Sequence, residues 1–338
     1  MNPSPAAPLP EPTLDDVAAA RHRIAGVARR TPLLPLDLGV ADGPPLYVKP
    51  ENLQLTGSFK IRGALNFLAN LSDAERRRGV VAQSSGNHAQ GVAAAARRFG
   101  VKATIVIPEG APQVKVENTR ALGAEVVRCP NTQEDREGTA LAIARDTGAT
   151  LVPPYDHPWI VAGQGTIGAE IVEDLPDVAN VIAPVGGGGL SSGIAVAVRA
   201  LRPQAQVIGA EPELAADAHD SLVSGERRHW SAERVTRTLA DGVRTQSIGE
   251  LNFALLTRLL AGVVRVGEEA IADAVRWYAN HARLVVEPTG GLSLGALQRL
   301  LAGAEADGVR LAPGPTVLVV SGGNVDAAVL ASLLTERA

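Results

Sequence analysis

The sequence predicts an α/β protein with parallel-rich sheets flanked by helices, and three observations carry that prediction. Past residue 13, short β-branched runs alternate with longer alanine-rich segments of helical period, which is the pattern of a parallel sheet with crossover helices. Several of those runs end in small, polar or glycine-rich loops that open helices, where such sheets bind ligands at their carboxyl edge. The 338 residues exceed one small core and suit two compact domains or one large unit.

The opening MNPSPAAPLPEP, residues 1–12, lacks the basic and apolar regions of a signal peptide and is expected to be a disordered leader. Strands are expected at 79–83, 103–107 (ATIVI), 124–128 (AEVVR), 181–184 (VIAP), 206–210 (QVIGA) and 316–320 (TVLVV), with helices between most of them. In PPYDHP, residues 153–158, prolines and a turn-forming aspartate interrupt the alternation and mark a linker. Residues 53–153 then form a small αβ domain, and residues 13–52 plus 154–338 a large one. No internal repeat is evident.

Bulk properties exclude several function classes. A formal charge of -4 without a basic stripe, and 3% aromatic residues, leave neither the electrostatic footprint nor the stacking platforms of a nucleic-acid binder. The single cysteine, Cys129, rules out an intrachain disulfide framework and a cysteine-based zinc site, and fits a reducing cytoplasm. Cys129 itself reads as a small buried residue, and His157 and His281 as structural. Apolar runs stay far short of a membrane span.

Lys60 stands out in NLQLTGSFKIRGALNFL, residues 52–68. A cation in the first turn of a helix is on the wrong end of the helix dipole, so it needs another reason to be there. The loop APVGGGGLSSG, residues 183–193, sets Gly186, Gly187, Gly188 and Gly189 between a strand and a helix. Free N–H groups and the helix dipole make that a phosphate cradle, and its spacing fits neither a Walker loop nor a dinucleotide fingerprint. In SSGNHAQG, residues 84–91, Ser84, Ser85, Asn87 and His88 crowd another helix start, a natural carboxylate site. Ser321 ends the last strand in VVSGGN, residues 319–324. A lysine, a phosphate cradle and a carboxylate site together describe an amino-acid enzyme using pyridoxal 5'-phosphate. The lysine supplies the Schiff base, and a positive helix end disfavours its ammonium form and frees the amine.

The chain resembles the pyridoxal-phosphate enzymes of the tryptophan-synthase β-like fold (fold type II), in the branch of serine and threonine dehydratases and serine racemase. The resemblance rests on SFKIRGA, SSGNHAQGVA, AGQGTIGAE, GGGGL, ADGVRT and SGGN. It implies that Lys60 binds the cofactor covalently beside Phe59, that Asn87 meets its 3'-oxygen, Gly186 to Gly189 its phosphate and Ser321 its ring nitrogen. A neutral hydroxyl at that nitrogen makes the ring a weaker electron sink than an aspartate would, favouring elimination or reprotonation over transamination. The implied activity is dehydration of a 3-hydroxy amino acid (L-threonine, L-serine or 3-hydroxyaspartate) to a 2-oxo acid and ammonia, by a homodimer.

Ser85 keeps serine racemase open as an alternative. Threonine dehydratases of this family usually carry alanine there, whereas the racemases and 3-hydroxyaspartate dehydratases carry serine, an acid–base group for the face opposite Lys60. The resemblance also assigns Arg136, in NTQEDREG, to the substrate's polar end. It further makes Glu211, the Ala215 carbonyl and Asp217, in GAEPELAADAHDS, hard oxygen ligands for Mg or Ca. The short stretch after SGGN leaves no length for the regulatory domain of biosynthetic threonine dehydratases, so that form of feedback is not expected. A non-catalytic binding homologue and a dinucleotide-dependent oxidoreductase are the readings from other classes. Retention of Lys60 opposes the first and the glycine spacing the second.

Overall fold

The computed structural model describes residues 9–39, 43–111, 113–303 and 305–335. Two sheets organise it. The larger is built from β1 (Leu34–Leu36), β2 (Leu46–Pro50), β7 (Asn180–Pro184), β8 (Gln206–Pro212), β9 (Gly262–Val266) and β10 (Thr316–Val320). The smaller takes β3 (Val80–Gln83), β4 (Ala103–Pro108), β5 (Glu125–Cys129) and β6 (Thr150–Leu151). Their orders are β1-β2-β10-β7-β8-β9 and β5-β4-β3-β6. β1 pairs with β2 antiparallel, and the other pairings are parallel.

All six strands expected from the sequence are present, within a residue or two of the expected bounds. β7 (NVIAP) and β10 (TVLVV) are buried along their whole length, because helices cover both faces of the large sheet. β1, β2, β6 and β9 were not expected: they are short, or carry proline, lysine or arginine in the run. Of the expected leader, residues 1–8 lie outside the described residues. Residues 9–12 are irregular, with Pro12 buried and Glu11 ion-paired to Arg258.

A buried ion cluster fastens the Lys60–Ala69 helix to the large sheet. The Arg62 side chain is 1% exposed, and its fork donates to both oxygens of Glu51 at 2.8 Å and to those of Glu170 at 2.7 and 3.0 Å. Lys49, from the middle of β2, donates to Glu170 at 2.7 Å and to the Thr31 carbonyl at 2.7 Å. Burial works to raise the Glu51 carboxyl, but Arg62, Thr31 and Lys49 hold it below its ordinary range. Two cations thus face two carboxylates with nearly every polar atom satisfied, the condition under which a buried ion pair is tolerated.

Candidate active site

The ends of three parallel strands set the site. β3 runs into Ser84, β7 into Gly186 and β10 into Ser321, so the polar and glycine-rich loops gather at the carboxyl edges of the sheets. Ser58 and Gly322 form an isolated bridge, and the Phe59 N–H donates to the Ser321 carbonyl at 3.1 Å, which ties the turn before Lys60 to the end of β10.

Lys60 opens the Lys60–Ala69 helix with no side-chain cap before it. Its Nζ donates to the Pro154 carbonyl at 2.7 Å. Burial brings its pKa down to about 8, against the pull of Glu287. Burial is thus the cause of the lowered pKa, where the sequence reading invoked the helix-end field. The Phe59 ring is 9% exposed and packs among Ile167, Leu190 and Val319, with Lys60 Nζ 5.2 Å from its centroid.

The Ser84–His88 loop leads into the Asn87–Phe99 helix, whose start at Gly86 also lacks a side-chain cap. Its first N–H groups are therefore open to an anion. Ser84 Oγ accepts from the Gly86 N–H at 3.1 Å, and Ser85 is half-buried. His88 is buried with Nε2 3.0 Å from the Val152 carbonyl, and burial brings its pKa down to about 3, so it stays a neutral ring at neutral pH.

Asn87 is held at both ends. Its Nδ2 donates to Glu287 Oε1 at 2.8 Å, and its Oδ1 accepts from Asn324 Nδ2 at 2.8 Å. One N–H of Asn87 remains for a ligand oxygen. Glu287 is the residue that sequence reasoning missed. It is 3% exposed, and burial, with the charge of Asp241, pushes its carboxyl up to about 7. The signal available was an acidic residue set directly between an apolar pair and the PTGG start of a helix.

In the glycine loop, Gly188 adopts φ +94° and precedes the Gly189–Leu201 helix without a side-chain cap. That helix end leaves its first N–H groups without a side-chain cap. At the end of β10, Ser321 Oγ is buried with no hydrogen-bond partner among the described residues, as is Ser58 Oγ. A lysine with a lowered pKa, an uncapped glycine loop and an orphaned serine hydroxyl fit the pyridoxal phosphate expected from the sequence, with open donors for an anion at one element and an unpartnered hydroxyl at another.

Arg136 stands on the Gln133–Thr147 helix near Cys129, with Nε buried and unpaired. At the end of β8, Glu211 accepts from the N–H groups of Ala218 and His219 at 3.0 and 2.8 Å. Asp217, 0% exposed, has no full hydrogen bond to either carboxylate oxygen. Burial and the Asp217 charge push Glu211 well up, and burial pushes Asp217 up to about 7. Two desolvated carboxylates side by side, near the buried Ala215, fit a hard cation. No group of three or more His, Cys, Asp or Glu side chains placed to hold a metal occurs among the described residues.

The family described as "Pyridoxal-phosphate dependent enzyme" matches residues 24–322. L-threonine ammonia-lyase of Thermotoga maritima is 45% identical over 317 residues, covering 93% of this chain and 76% of that protein. L-threo-3-hydroxyaspartate ammonia-lyase of Saccharomyces cerevisiae is 39% identical over 327 residues, covering 96% and 97%. Among solved structures, maize serine racemase superimposes with a TM-score of 0.88 at 34% identity, covering 96% of this chain and 97% of that one.

Proposed function

The chain belongs to the family of pyridoxal-phosphate dependent enzymes, and from that premise we propose that it is an ammonia-lyase. It removes water and ammonia from a 3-hydroxy amino acid and leaves a 2-oxo acid. The observation that carries the reading is Lys60, its Nζ buried on the Pro154 carbonyl with a lowered pKa, in a turn tied through Phe59 to the end of β10. The similarity to ammonia-lyases over more than nine-tenths of the chain supports it.

When bound, pyridoxal phosphate supplies an electron sink for the bonds at the α-carbon of the amino acid. Gly186 to Gly189 and the uncapped Gly189–Leu201 helix would hold its phosphate, Ser321 Oγ would serve its ring nitrogen, and the spare N–H of Asn87 its 3'-oxygen. The open N–H groups around Ser85 and Asn87 bind the substrate carboxylate. Lys60 would be the base that takes the α-proton. With a pKa near 8 it is neutral often enough at cellular pH to act as that base.

An assay of purified protein against L- and D-serine, L-threonine and the 3-hydroxyaspartate isomers, reading 2-oxo acid and product chirality, tests the reading. Absence of 2-oxo acid from every substrate would overturn it. Racemisation is the second reading, favoured by Ser85. The Ser85→Ala variant is expected to lose serine racemisation and D-serine elimination while retaining much of L-serine elimination, since Lys60 alone serves the L-enantiomer. Equal loss of both would make Ser85 a binding residue.

Arg136 recognises a second carboxylate in this reading. Its unpaired Nε favours an acidic partner, and a charge-assisted hydrogen bond is worth about 1.5–3 kcal/mol. Arg136→Ala is expected to lower kcat/KM for 3-hydroxyaspartate about ten- to a hundredfold with threonine turnover little changed. An equal effect on both substrates would return Arg136 to a structural role.

Glu211, Asp217 and the Ala215 carbonyl hold Mg or Ca. A chelator should lower the Tm, and Mg or Ca restore it, because a cation bound only to the folded chain at about a hundred times its Kd stabilises by about 2.7 kcal/mol. A Tm indifferent to chelator and to both cations would reject the site. The reading extends to a cytoplasmic homodimer. Among the described residues no helix is long and apolar enough to cross a membrane.

A further inference from the structure

The stretch 152–157, between β6 and the Pro158–Asp174 helix, touches almost every part of the site. Val152 and Pro154 offer their carbonyls to His88 and Lys60. Asp156 takes the N–H groups of Glu250 and Asn252 at 2.9 and 3.2 Å, capping the Glu250–Leu259 helix. Between them, the Tyr155 ring lies against the glycine loop. A methyl group built on Gly187 would collide with Cγ, Cδ1 and Cε1 of that ring, and one on Gly189 would fall 2.9 Å from the Tyr155 carbonyl oxygen.

The loop is held from the other side by Asn252. Its Nδ2 donates to the Gly187 carbonyl at 2.8 Å, and its Cβ leaves only 2.7 Å for a methyl on Gly188. Gly187 and Gly189 therefore lack side chains for a reason besides close approach to an anion. They let the loop press against Tyr155.

We propose that Tyr155 is the positioning residue of the phosphate cradle: its ring is the wall that holds Gly187 in the shape that receives the cofactor phosphate. Through Pro154 the same segment sets the separation between the cradle and Lys60. The inference rests on the pyridoxal-phosphate reading above. Successive glycines have the most backbone freedom to lose, so an unsupported loop would weaken binding by the cost of ordering it. A rigid aromatic wall removes that cost before the phosphate arrives. The contact belongs to the ring, so the phenol hydroxyl is dispensable.

The test is a visible-absorbance titration of the purified chain, stripped of cofactor, with pyridoxal phosphate and in parallel with pyridoxal, which has no phosphate. Tyr155→Phe should bind pyridoxal phosphate within about twofold of wild type, and Tyr155→Ala at least about tenfold more weakly, with pyridoxal affected much less. Gly187→Ala should also weaken pyridoxal phosphate. That penalty should shrink in the Tyr155→Ala background, where the colliding ring is gone, as expected for residues in contact.

Three results would overturn the proposal: unchanged pyridoxal phosphate affinity in Tyr155→Ala, equal loss for pyridoxal and pyridoxal phosphate, or additive effects of the two substitutions. If Tyr155→Ala does not fold, Tyr155→Leu carries the same comparisons. Failure of the wild-type chain to bind pyridoxal phosphate would instead remove the functional reading itself.

Discussion

Lys60→Ala is expected to lose the visible absorbance of a lysine-bound cofactor and to lower turnover about 10³-fold or more. The substitution removes the amine that attaches the cofactor and the base that takes the α-proton, so both losses fall on one residue. Folding should survive. Among the described residues the Lys60 side chain makes one hydrogen bond, to the Pro154 carbonyl, and its removal unburdens the site of a poorly solvated cation. Far-ultraviolet circular dichroism and the Tm separate the two cases. A variant that keeps both the absorbance band and the activity would sink the mechanism, and one that merely unfolds would say nothing about the base.

Arg62→Ala is expected to do the reverse, leaving the chemistry nominally complete while destabilising the protein by about 3–5 kcal/mol. Its guanidinium satisfies Glu51 and Glu170 together and also reaches the Arg29 carbonyl and Thr166 Oγ. Without it, Lys49 alone opposes two buried carboxylates. Lysine at position 62 should rescue only part of the loss, since a single ammonium cannot present the planar fork that spans both. Urea unfolding of wild type, Arg62→Ala and Arg62→Lys measures this. A loss below about 1 kcal/mol in Arg62→Ala would show that the cluster relaxes or hydrates, in the manner of a surface pair.

The contrast between these two residues explains what could be read from the sequence. Lys60 violates a local rule, a cation at a positive helix end, and a violated rule advertises a function. Arg62, two positions later, violates nothing in the sequence, because its partners are 11 and 108 residues away. The same distance hid β2: Lys49 interrupts an otherwise plausible strand, and only the fold shows that its charge is neutralised inside. Glu287 left only a weak local signal for a like reason, since its partner Asn87 is 200 residues distant.

The β-branched runs of β4, β7 and β10 needed no such partner, and their burial on both faces wrote them directly into the composition. PPYDHP was legible as irregular backbone. Pro153, Pro154 and Asp156 keep residues 152–157 out of helix and sheet, while Pro158 opens the next helix, and this frees the Pro154 carbonyl and the Asp156 carboxylate to bind what surrounds them.

Cys129, at the end of β5, is 2% exposed, and burial pushes its thiol up. Thiol reagents attack the exposed thiolate, so the native chain should be almost inert to them. Because this is the chain's single cysteine, any labelling that does occur reports opening around one strand end of the smaller sheet. The labelling rate then becomes a clock for local unfolding, readable without spectroscopic changes at the cofactor. Run with and without substrate, it would tell whether ligand slows that opening, and would do so in an unmodified protein.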